Sequence, residues 1–292
     1  MSFKSSVLIL GSSGLLGSEL TSGRYLNNYR IISHSYKSKS DLKVDLQDYN
    51  QVIKMLNQAK PSTIINLVGF TNVDLCEKFP NEAYKLNVKA VQNLVDAINQ
   101  YSLKTFLIHI STDQVYDGEG ILSEKNVNLS NYYSFSKYTG ELIARQIDSV
   151  VLRTNFFGKS KNLKRNSLSD WIYDKLLLGE NIDVFDDVKF SPLSIYTLCK
   201  MIELMVEKKE QGIYNLGSCE GMSKADFAYY FAKMLNFSTS KMNRVKVSNS
   251  KFLYAYRPKN MLMKLTKFEK KFNLKLPKLI DEIELVKKEY QK

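Results

Sequence analysis

Short apolar runs alternate with amphipathic stretches of helical length through the first half of the chain. The runs that we predict as strands are Val7–Leu10, Ile31–Ile32, Thr63–Val68, Thr105–Ile110 and Val150–Leu152. The stretches that we predict as helices are Gly14–Leu26, Tyr49–Ala59, Ala83–Tyr101 and Ser136–Gln146. Apolar runs without polar alternation indicate strands that are buried on both faces. Strand and helix in this order predict an α/β protein with a doubly wound parallel sheet.

The pattern changes after residue 158, where residues 159–169 are polar and basic and predict a loop. Further predicted elements are the strands Ile182–Phe185 and Gly212–Leu216 and the helices Trp171–Leu178, Ile195–Lys208 and Lys224–Leu235. We therefore predict a first domain over residues 1–158, to which a strand and helix return at about 182–217. Residues 159–292 form a smaller, interleaved C-terminal α/β lobe in this prediction.

Composition agrees with a packed globular chain and excludes several classes of protein. The 292 residues are 44% hydrophobic and 25% charged, which is typical of a soluble protein and not of a disordered or fibrous one. The three cysteines form no CxxC pair and have no histidine cluster nearby, so we expect neither a disulfide framework nor a bound metal. No apolar stretch approaches the ~20 residues that span a bilayer, and the first strand begins too early for a signal peptide. We expect a cytoplasmic protein with no membrane partner.

The net charge of +12 is concentrated near the C-terminus, where Thr239–Lys292 holds 15 basic and 5 acidic residues. These basic residues are mostly lysines in helix-like runs, and charge on a solvated helical face needs no partner. We therefore expect no nucleic-acid partner. The remaining effect is a positive field that attracts an anionic small molecule.

A glycine-rich segment, Gly11–Gly17, follows the first predicted strand and opens the first predicted helix. The first glycine of such a turn permits the bend, the second lets backbone N–H groups approach a pyrophosphate, and the third lets helix and strand pack closely. The spacing is GxxGxxG, not the GxGxxG of the generic dinucleotide fold. The segment predicts a Rossmann-type, NAD(P)-binding first domain with cofactor contacts at Gly11, Ser13, Gly14, Leu15, Leu16 and Gly17.

The end of the second strand indicates which dinucleotide binds. An acidic residue there hydrogen-bonds the ribose 2′-hydroxyl of NAD and repels a 2′-phosphate. This chain has hydroxyls and lysines instead, among them Ser35 and Lys37, and no acid before Asp41. The pattern favours NADPH, with NADH left open. Asp45, followed by Leu46, comes after a third short strand, where it is placed to meet the adenine amino group.

Tyr133 and Lys137 form a YxxxK motif at the start of a predicted helix. Because residues four apart share a helix face, the ammonium can lie beside the phenol and the cofactor ribose. A phenol has an unperturbed pKa near 10, so it exchanges protons at neutral pH only where a neighbouring cation stabilises the phenolate. Thr112 follows the fourth apolar run, at the carboxyl end of a parallel strand, where open α/β sheets bind ligands. We predict Tyr133 as a general acid and Lys137 as its tuning cation.

With the glycine-rich segment, these residues resemble the extended branch of the short-chain dehydrogenase/reductase family. Four segments are similar to its dTDP-4-dehydrorhamnose reductase group: Asn66–Glu77, Ile110–Gly118, Leu152–Gly158 and Arg257–Asn260. The resemblance implies a catalytic triad of Thr112, Tyr133 and Lys137. The cofactor contacts that it implies are Val68, Gly69, Phe70 and Lys137. The implied substrate contacts are Thr71, Val73, Thr112, Gln114, Asn155, Phe156 and Arg257.

The chain departs from the pattern of that group at three positions. Gln114 stands where the group has an aromatic residue, Phe156 where it has Trp, and Met261 where it has Ser. The first two positions are expected near the sugar. The resemblance therefore leaves the particular sugar open.

The resemblance implies a reductase that delivers hydride to the 4-keto carbon of a nucleotide-activated 6-deoxysugar, for surface polysaccharide synthesis. Tyr133 would protonate the nascent alkoxide and Thr112 would orient the carbonyl oxygen. The diphosphate of such a substrate would contact Arg257 directly. It would also lie in the field of a basic loop cluster, Lys159, Lys161, Lys164 and Arg165.

Two alternatives stay open. One is an epimerase or dehydratase of the same family, although the Asp-Glu pair that dehydratases place after Thr is here Asp113-Gln114. The other is a catalytically silent cofactor-binding subunit, similar to the regulatory subunit of methionine adenosyltransferase, against which the intact triad argues. The oligomeric state also stays open, with a homodimer as the assembly considered.

Overall fold

The protein is described by a computed structural model over residues 5–162, 166–250 and 253–291. The strands are β1 (Ser6–Leu10), β2 (Arg30–Ser35), β3 (Leu42–Lys43), β4 (Thr63–Asn66), β5 (Phe106–Thr112), β6 (Ser149–Thr154), β7 (Phe156–Phe157), β8 (Ile182–Phe185), β9 (Lys189–Phe190), β10 (Leu193–Ser194), β11 (Gly212–Leu216), β12 (Met222–Ser223) and β13 (Met242–Val245). The helices are α1 (Leu15–Leu20), α2 (Tyr49–Ala59), α3 (Val73–Lys78), α4 (Pro80–Tyr84), α5 (Ala90–Gln100), α6 (Tyr132–Ala144), α7 (Leu168–Leu177), α8 (Ile195–Lys208), α9 (Lys224–Met234), α10 (Thr266–Phe272) and α11 (Leu279–Tyr290). A π-helical turn, Lys85–Lys89, joins α4 to α5, and 3-10 turns lie at Asp113–Val115 and Val247–Asn249.

Seven strands form the central parallel sheet, in the order β11-β6-β5-β4-β1-β2-β3. Leu10, at the end of β1, pairs with His34 of β2 on one side and with Asn66 of β4 on the other. The chain runs outward from β1 to β3 and then returns to add β4 on the opposite side of β1. Open α/β sheets bind ligands at such a reversal, outside the carboxyl ends of the strands. The doubly wound α/β prediction is confirmed.

The chain divides into two compact units, which are described separately. The first comprises the described residues up to Thr112 together with Asn131–Arg153 and Cys199–Ile213. Its core is formed by apolar side chains of the sheet, such as Leu8 and Ile64, and by buried side chains of α2 and α5. β4 and β5 are buried at every position, which explains why both read as uninterrupted apolar runs in the sequence.

The second unit comprises Asp113–Ser130, Thr154–Leu198 and the described residues from Tyr214 onward. An aromatic cluster organises its core: the ring centroid of Phe227 lies 4.9 Å from that of Phe157 and 5.5 Å from that of Phe190. Both contacts are edge-to-face, a favourable arrangement of aromatic quadrupoles. The domain boundaries drawn from the sequence, 1–158 and 159–292, stay a prediction.

Several elements have the predicted bounds, namely α2, α8, β8 and β11. The predicted helix Ala83–Tyr101 is instead α4, the π-helical turn and α5, and it starts earlier because Pro80 occupies the first helical position. The predicted helix at Ser136 begins four residues earlier as α6, because the Asn131 side chain accepts a hydrogen bond from the Ser134 N–H in a capping box. The YxxxK motif therefore lies entirely within α6.

Candidate active site

The glycine-rich turn is held by hydrogen bonds to the end of β2. The N–H groups of Gly11 and Ser12 donate to the His34 carbonyl oxygen at 3.1 and 2.9 Å. The Ser12 hydroxyl donates to the same oxygen at 2.9 Å. Gly11 has a φ of +82°, a left-handed conformation that glycine adopts without strain. These bonds bring the start of α1 to the reversal point of the sheet.

Close packing at the turn requires a glycine at position 17. A Cβ atom there would overlap the Gly11 carbonyl oxygen and lie 2.7 Å from Ser12 Cα. Gly14 is the N-cap of α1. Of the other predicted contacts in this turn, Ser13 and Leu15 are half-buried and Leu16 is buried.

The turn between β2 and β3 carries the predicted cofactor determinants. The Ser35 hydroxyl is buried and donates to the Ser38 carbonyl at 2.6 Å, and it lies 2.9 Å from the Ser40 hydroxyl. Lys37 is exposed. The Asp41 carboxylate accepts from the N–H of Ser33 at 2.8 Å and from its hydroxyl at 2.7 Å. Those bonds lower the pKa of Asp41. They also hold its carboxylate beside Ser33, which lies two residues before the last residue of β2.

Asp45 and Leu46 lie in the connection between β3 and α2. The Asp45 carboxylate accepts from the N–H of Gln47 at 3.0 Å. Buried Asn93, in α5, donates from Nδ2 to the carbonyl oxygens of Leu46 and Gln47, each at 2.9 Å. This connection is therefore held against α5 by one amide. The role of Asp45 toward the adenine stays a prediction.

Asn87 holds the segment that follows β4, and sequence reasoning missed it. Its Oδ1 accepts from the Phe70 N–H at 2.7 Å, and its Nδ2 donates to the Phe70 carbonyl at 3.0 Å and to the Ser136 hydroxyl at 2.9 Å. The residue is buried in the π-helical turn, and such turns are frequent at functional sites. A Cβ on neighbouring Gly69 would lie 3.7 Å from Lys137 Nζ. Asn87 thus holds the predicted cofactor contacts Gly69 and Phe70 beside α6.

His109 supports the same segment from β5. The Asn66 Oδ1 accepts from the Val68 N–H at 3.1 Å, so the amide nitrogen of Asn66 faces His109 Nδ1 at 3.2 Å. His109 Nδ1 is therefore the acceptor, and the proton of the neutral ring is on Nε2. Burial and the nearby Lys137 cation hold the pKa of His109 well below its usual range. This ring stays neutral and accepts from Asn66, the residue that holds the Val68 N–H.

Lys137, in α6, is anchored on the backbone of β5. Its Nζ donates to the Ile110 carbonyl at 2.8 Å. Burial lowers the pKa of Lys137 to about 8, and the Glu141 carboxylate acts in the opposite direction. Tyr133, one helical turn earlier in α6, and Thr112, at the last position of β5, are both buried. All three predicted catalytic residues belong to the first unit.

A buried ion pair joins α6 to β6 and was also missed from the sequence. Glu141 of α6 and Arg153 of β6 are 2.6 Å apart, and each side chain is 1% exposed. The Ser111 hydroxyl donates to the same carboxylate at 2.5 Å. No spacing in the sequence indicates this pair, because its members come from separate elements.

The predicted substrate contacts are divided between the units. In the first unit, Thr71 is exposed and Val73 is the buried first residue of α3. The others, Gln114, Asn155, Phe156 and Arg257, belong to the second unit and are half-buried. There Asn155 Nδ2 donates to Asp113 Oδ2 at 2.8 Å, and Arg257 Nη1 donates to the Ala255 carbonyl at 2.9 Å.

Lys224, the first residue of α9, joins this second-unit set and was not predicted. Burial lowers its pKa, the Asp113 carboxylate raises it, and the Arg257 cation lowers it. Two cations and one carboxylate therefore lie within electrostatic reach of one another. Such a pair of cations is suited to an anionic ligand. The basic loop residues Lys164 and Arg165 lie outside the described residues, and Lys159 Nζ donates to the Glu289 carbonyl at 2.9 Å.

The first unit fits a dinucleotide. The positive φ of Gly11 and the tight approach of Gly17 to the backbone of Gly11 and Ser12 form the close strand–turn–helix packing that a dinucleotide-binding turn requires. The carboxyl end of β2 is occupied by hydroxyls and an exposed lysine, while the Asp41 carboxylate is turned to Ser33.

Over residues 5–162, 166–250 and 253–291, no group of three or more His, Cys, Asp or Glu is arranged to hold a metal ion. Within the same ranges, no helix has both the length and the apolar character that crossing a membrane requires. All three cysteines are free thiols.

Comparison with known proteins extends these observations. The sequence profile of the family described as RmlD substrate binding domain matches residues 5–292. The dTDP-4-dehydrorhamnose reductase of Aggregatibacter actinomycetemcomitans is 26% identical over 282 residues, which cover 92% of this chain and 93% of that protein. The methionine adenosyltransferase 2 subunit beta of Bos taurus is also 26% identical, over 277 residues that cover 90% of this chain and 81% of that protein.

A solved structure shows the same fold. The crystal structure of dTDP-4-dehydrorhamnose reductase from Bacillus anthracis str. Ames in complex with NADP superposes with a TM-score of 0.89 at 24% identity, over 98% of this chain and 100% of that one. The family profile matches residues 5–292 in one segment, and this segment contains both the glycine-rich turn and the YxxxK helix. The chain therefore belongs to the RmlD substrate binding domain family, within the extended short-chain dehydrogenases/reductases.

Proposed function

We propose that this protein is an NADPH-dependent reductase of the 4-keto group of a nucleotide-activated 6-deoxysugar, used for surface polysaccharide synthesis. The observation that carries the proposal is the burial of Thr112, Tyr133 and Lys137 in the unit that also holds the glycine-rich turn. A buried proton donor that shares a helix face with a cation suits the reduction of a carbonyl. The activity named for the relative from Aggregatibacter actinomycetemcomitans supports the same reaction.

The residues that would hold NADPH are the glycine-rich turn, the β2–β3 turn and the segment after β4. NADPH, when bound, supplies the hydride for the carbonyl carbon. The Tyr133 hydroxyl donates a proton to the carbonyl oxygen, and the Thr112 hydroxyl donates a hydrogen bond that orients it. Lys137, anchored on the Ile110 carbonyl, keeps a positive charge near the phenol and so eases release of its proton.

The choice of NADPH over NADH rests on the end of β2. Ser35 and Lys37 stand where an NAD-binding chain carries an acid, and the Asp41 carboxylate is held by Ser33. The structure from Bacillus anthracis str. Ames that shares the fold was solved with NADP. Both observations support NADPH as the cofactor of this chain.

A silent cofactor-binding subunit is the second candidate function. The similarity to methionine adenosyltransferase 2 subunit beta is as high in identity as the similarity to the reductase. A silent subunit would need the dinucleotide site but not the proton donor. The presence of Thr112, Tyr133 and Lys137 together favours the reductase.

A cofactor oxidation assay separates the two functions. Purified protein is mixed with dTDP-, UDP-, GDP- and CDP-linked 4-keto-6-deoxysugars and with NADPH or NADH, and absorbance of the reduced cofactor is followed. The reductase oxidises NADPH with at least one sugar nucleotide and prefers it to NADH. Tight binding of NADPH without turnover on any of these compounds would establish the silent subunit instead.

The remaining assignments belong to the same proposal. We place the protein in the cytoplasm, where nucleotide sugars are made, with the sugar nucleotide as its partner and with no nucleic-acid partner. A homodimer is the assembly that we propose. Light scattering of the purified protein measures the mass that tests it.

A further inference from the structure

The Glu141–Arg153 pair is unusual in being fully removed from water. Arg153 Nη2 lies 2.6 Å from Glu141 Oε2, and Arg153 Nε donates to Oε1 and Oε2 at 3.0 and 3.1 Å. The Ser111 hydroxyl donates to Oε1 at 2.5 Å. The carboxylate is therefore surrounded by donors from two other elements of the first unit.

Ser111, Glu141 and Arg153 connect β5, α6 and β6, and the predicted triad lies on the first two of these elements. Ser111 directly precedes Thr112 in β5. Glu141 lies one turn after Lys137 in α6, and β6, which contains Arg153, is the neighbour of β5 in the sheet. A change at Glu141 therefore acts on β5 and α6 together.

Stability alone does not account for a pair at this place. Removing two charges from water costs about as much as their attraction returns, so apolar residues of similar volume are often as stable or more so. What the pair does provide is a connection between elements that carry the predicted catalytic residues. Ser111, which donates to Glu141, precedes Thr112 in β5, and Glu141 follows Lys137 by four residues in α6.

We propose that Glu141 and Arg153 are positioning residues that hold β5 against α6 and keep the carboxylate of Glu141 beside the Lys137 ammonium. This inference rests on the proposed function. The groups around Lys137 are the neutral His109 ring from β5, Tyr133 and Glu141 from α6, and the Asn87 amide that holds the segment after β4. Among the charged groups acting on Lys137, Glu141 is the one that favours its protonated form.

The test compares two variants with a matched control. Glu141→Met combined with Arg153→Met removes both charges at similar volume, and Glu141→Gln removes one. The control is Glu282→Gln: Glu282 is a buried carboxylate of the second unit that accepts from the Ser194 N–H at 2.6 Å and from the Thr197 hydroxyl at 2.7 Å. Thermal unfolding and NADPH dissociation constants are measured for each protein.

The first readout needs no substrate. Lysine side chains are labelled with 13C at Cε and titrated by NMR, and the Lys137 signal is assigned by its loss in Lys137→Met. Because burial lowers the pKa of Lys137 to about 8, we expect the parent signal to titrate near that pH. We expect it to titrate at lower pH in both Glu141 variants and at the parent pH in Glu282→Gln. An unchanged titration in the double variant overturns the inference, whatever the substrate.

The second readout is turnover as a function of pH. In the double variant we expect kcat to fall about 10- to 100-fold, with NADPH binding within about threefold of the parent, and the basic limb of kcat/KM to move to lower pH. A merely structural pair would lower the unfolding temperature and leave the pH profile in place, which contradicts the inference. If the parent protein oxidises NADPH with none of the keto sugars, the proposed function is wrong. The NMR titration then decides this inference by itself.

Discussion

The predicted catalytic role of Tyr133 depends on its hydroxyl group, which phenylalanine lacks although its ring has the same shape. In Tyr133→Phe the ring still packs in α6, but no hydroxyl remains to protonate the substrate. We expect kcat to fall roughly 10²–10⁴-fold, the effect of losing a general acid, while the NADPH dissociation constant barely changes. Steady-state kinetics and cofactor fluorescence measure both quantities. Turnover within a few-fold of the parent would remove Tyr133 from the mechanism.

The lowered pKa of Lys137 makes the free energy of unfolding depend on pH. Burial lowers its pKa in the folded protein to about 8, whereas the unfolded chain keeps a lysine pKa near 10.4. Between these two values the unfolded chain binds a proton that the folded protein does not. The contribution of Lys137 to stability therefore rises with pH in this window, on the order of 1 kcal/mol per pH unit, and is constant below it.

The measurement compares the parent with Lys137→Met. Urea unfolding gives the free energy of unfolding of each protein at about pH 7 and at about pH 10. We expect the parent to gain stability relative to the variant at the higher pH, because the variant lacks the Lys137 amine and shares every other titrating group with the parent. An equal difference at the two pH values would show that Lys137 is not desolvated in the folded protein.

At the scale of elements, the packing of α1 against the glycine-rich turn depends on Gly17, which has no Cβ atom. A Cβ at position 17 would meet backbone atoms of Gly11 and Ser12, and backbone cannot yield as a flexible side chain does. We expect Gly17→Ala to lower the free energy of unfolding by roughly 1–3 kcal/mol, the usual cost of overpacking, and to weaken NADPH binding because α1 must move from the turn.

Gly118→Ala is the matched control for this change. Its added Cβ would meet only the Leu122 side chain, at 3.3 Å, which can rotate away. Denaturant unfolding and NADPH titration of both variants give the comparison. If Gly17→Ala binds NADPH as tightly as Gly118→Ala does, the close packing at α1 is not needed for the cofactor.

At the scale of the whole molecule, we expect the net charge of +12 to act on the substrate as a long-range field and Arg257 to act on it by direct contact. Arg257→Ala should raise the substrate KM about tenfold or more, since a charge-assisted hydrogen bond is worth roughly 1.5–3 kcal/mol. NADPH binding should stay nearly intact.

Lys259→Ala removes an exposed charge two residues away and should cause a smaller loss of kcat/KM that disappears with added salt. If Arg257→Ala instead lowers thermal stability with no change in KM, the diphosphate contact lies elsewhere.

The sequence by itself determined the features that depend on neighbours along the chain. Apolar runs indicated β4 and β5 because strands buried on both faces need no polar alternation. The bounds of α2 followed from its helical periodicity, and its Asp48 N-cap accepts from the Gln51 N–H. The glycine-rich turn and the YxxxK motif were readable because each lies within a single strand–turn–helix or helix segment.

The tertiary structure decided what depends on residues far apart in sequence. Asn87 acts on Phe70 and Ser136, and Glu141 meets Arg153 and Ser111, through contacts that no local spacing encodes. The pKa of Lys137 likewise follows from burial at the end of β5. Burial, desolvation and long-range hydrogen bonds exist only once the strands have paired, and for that reason the charge state and positioning of the site could not be read from the chain alone.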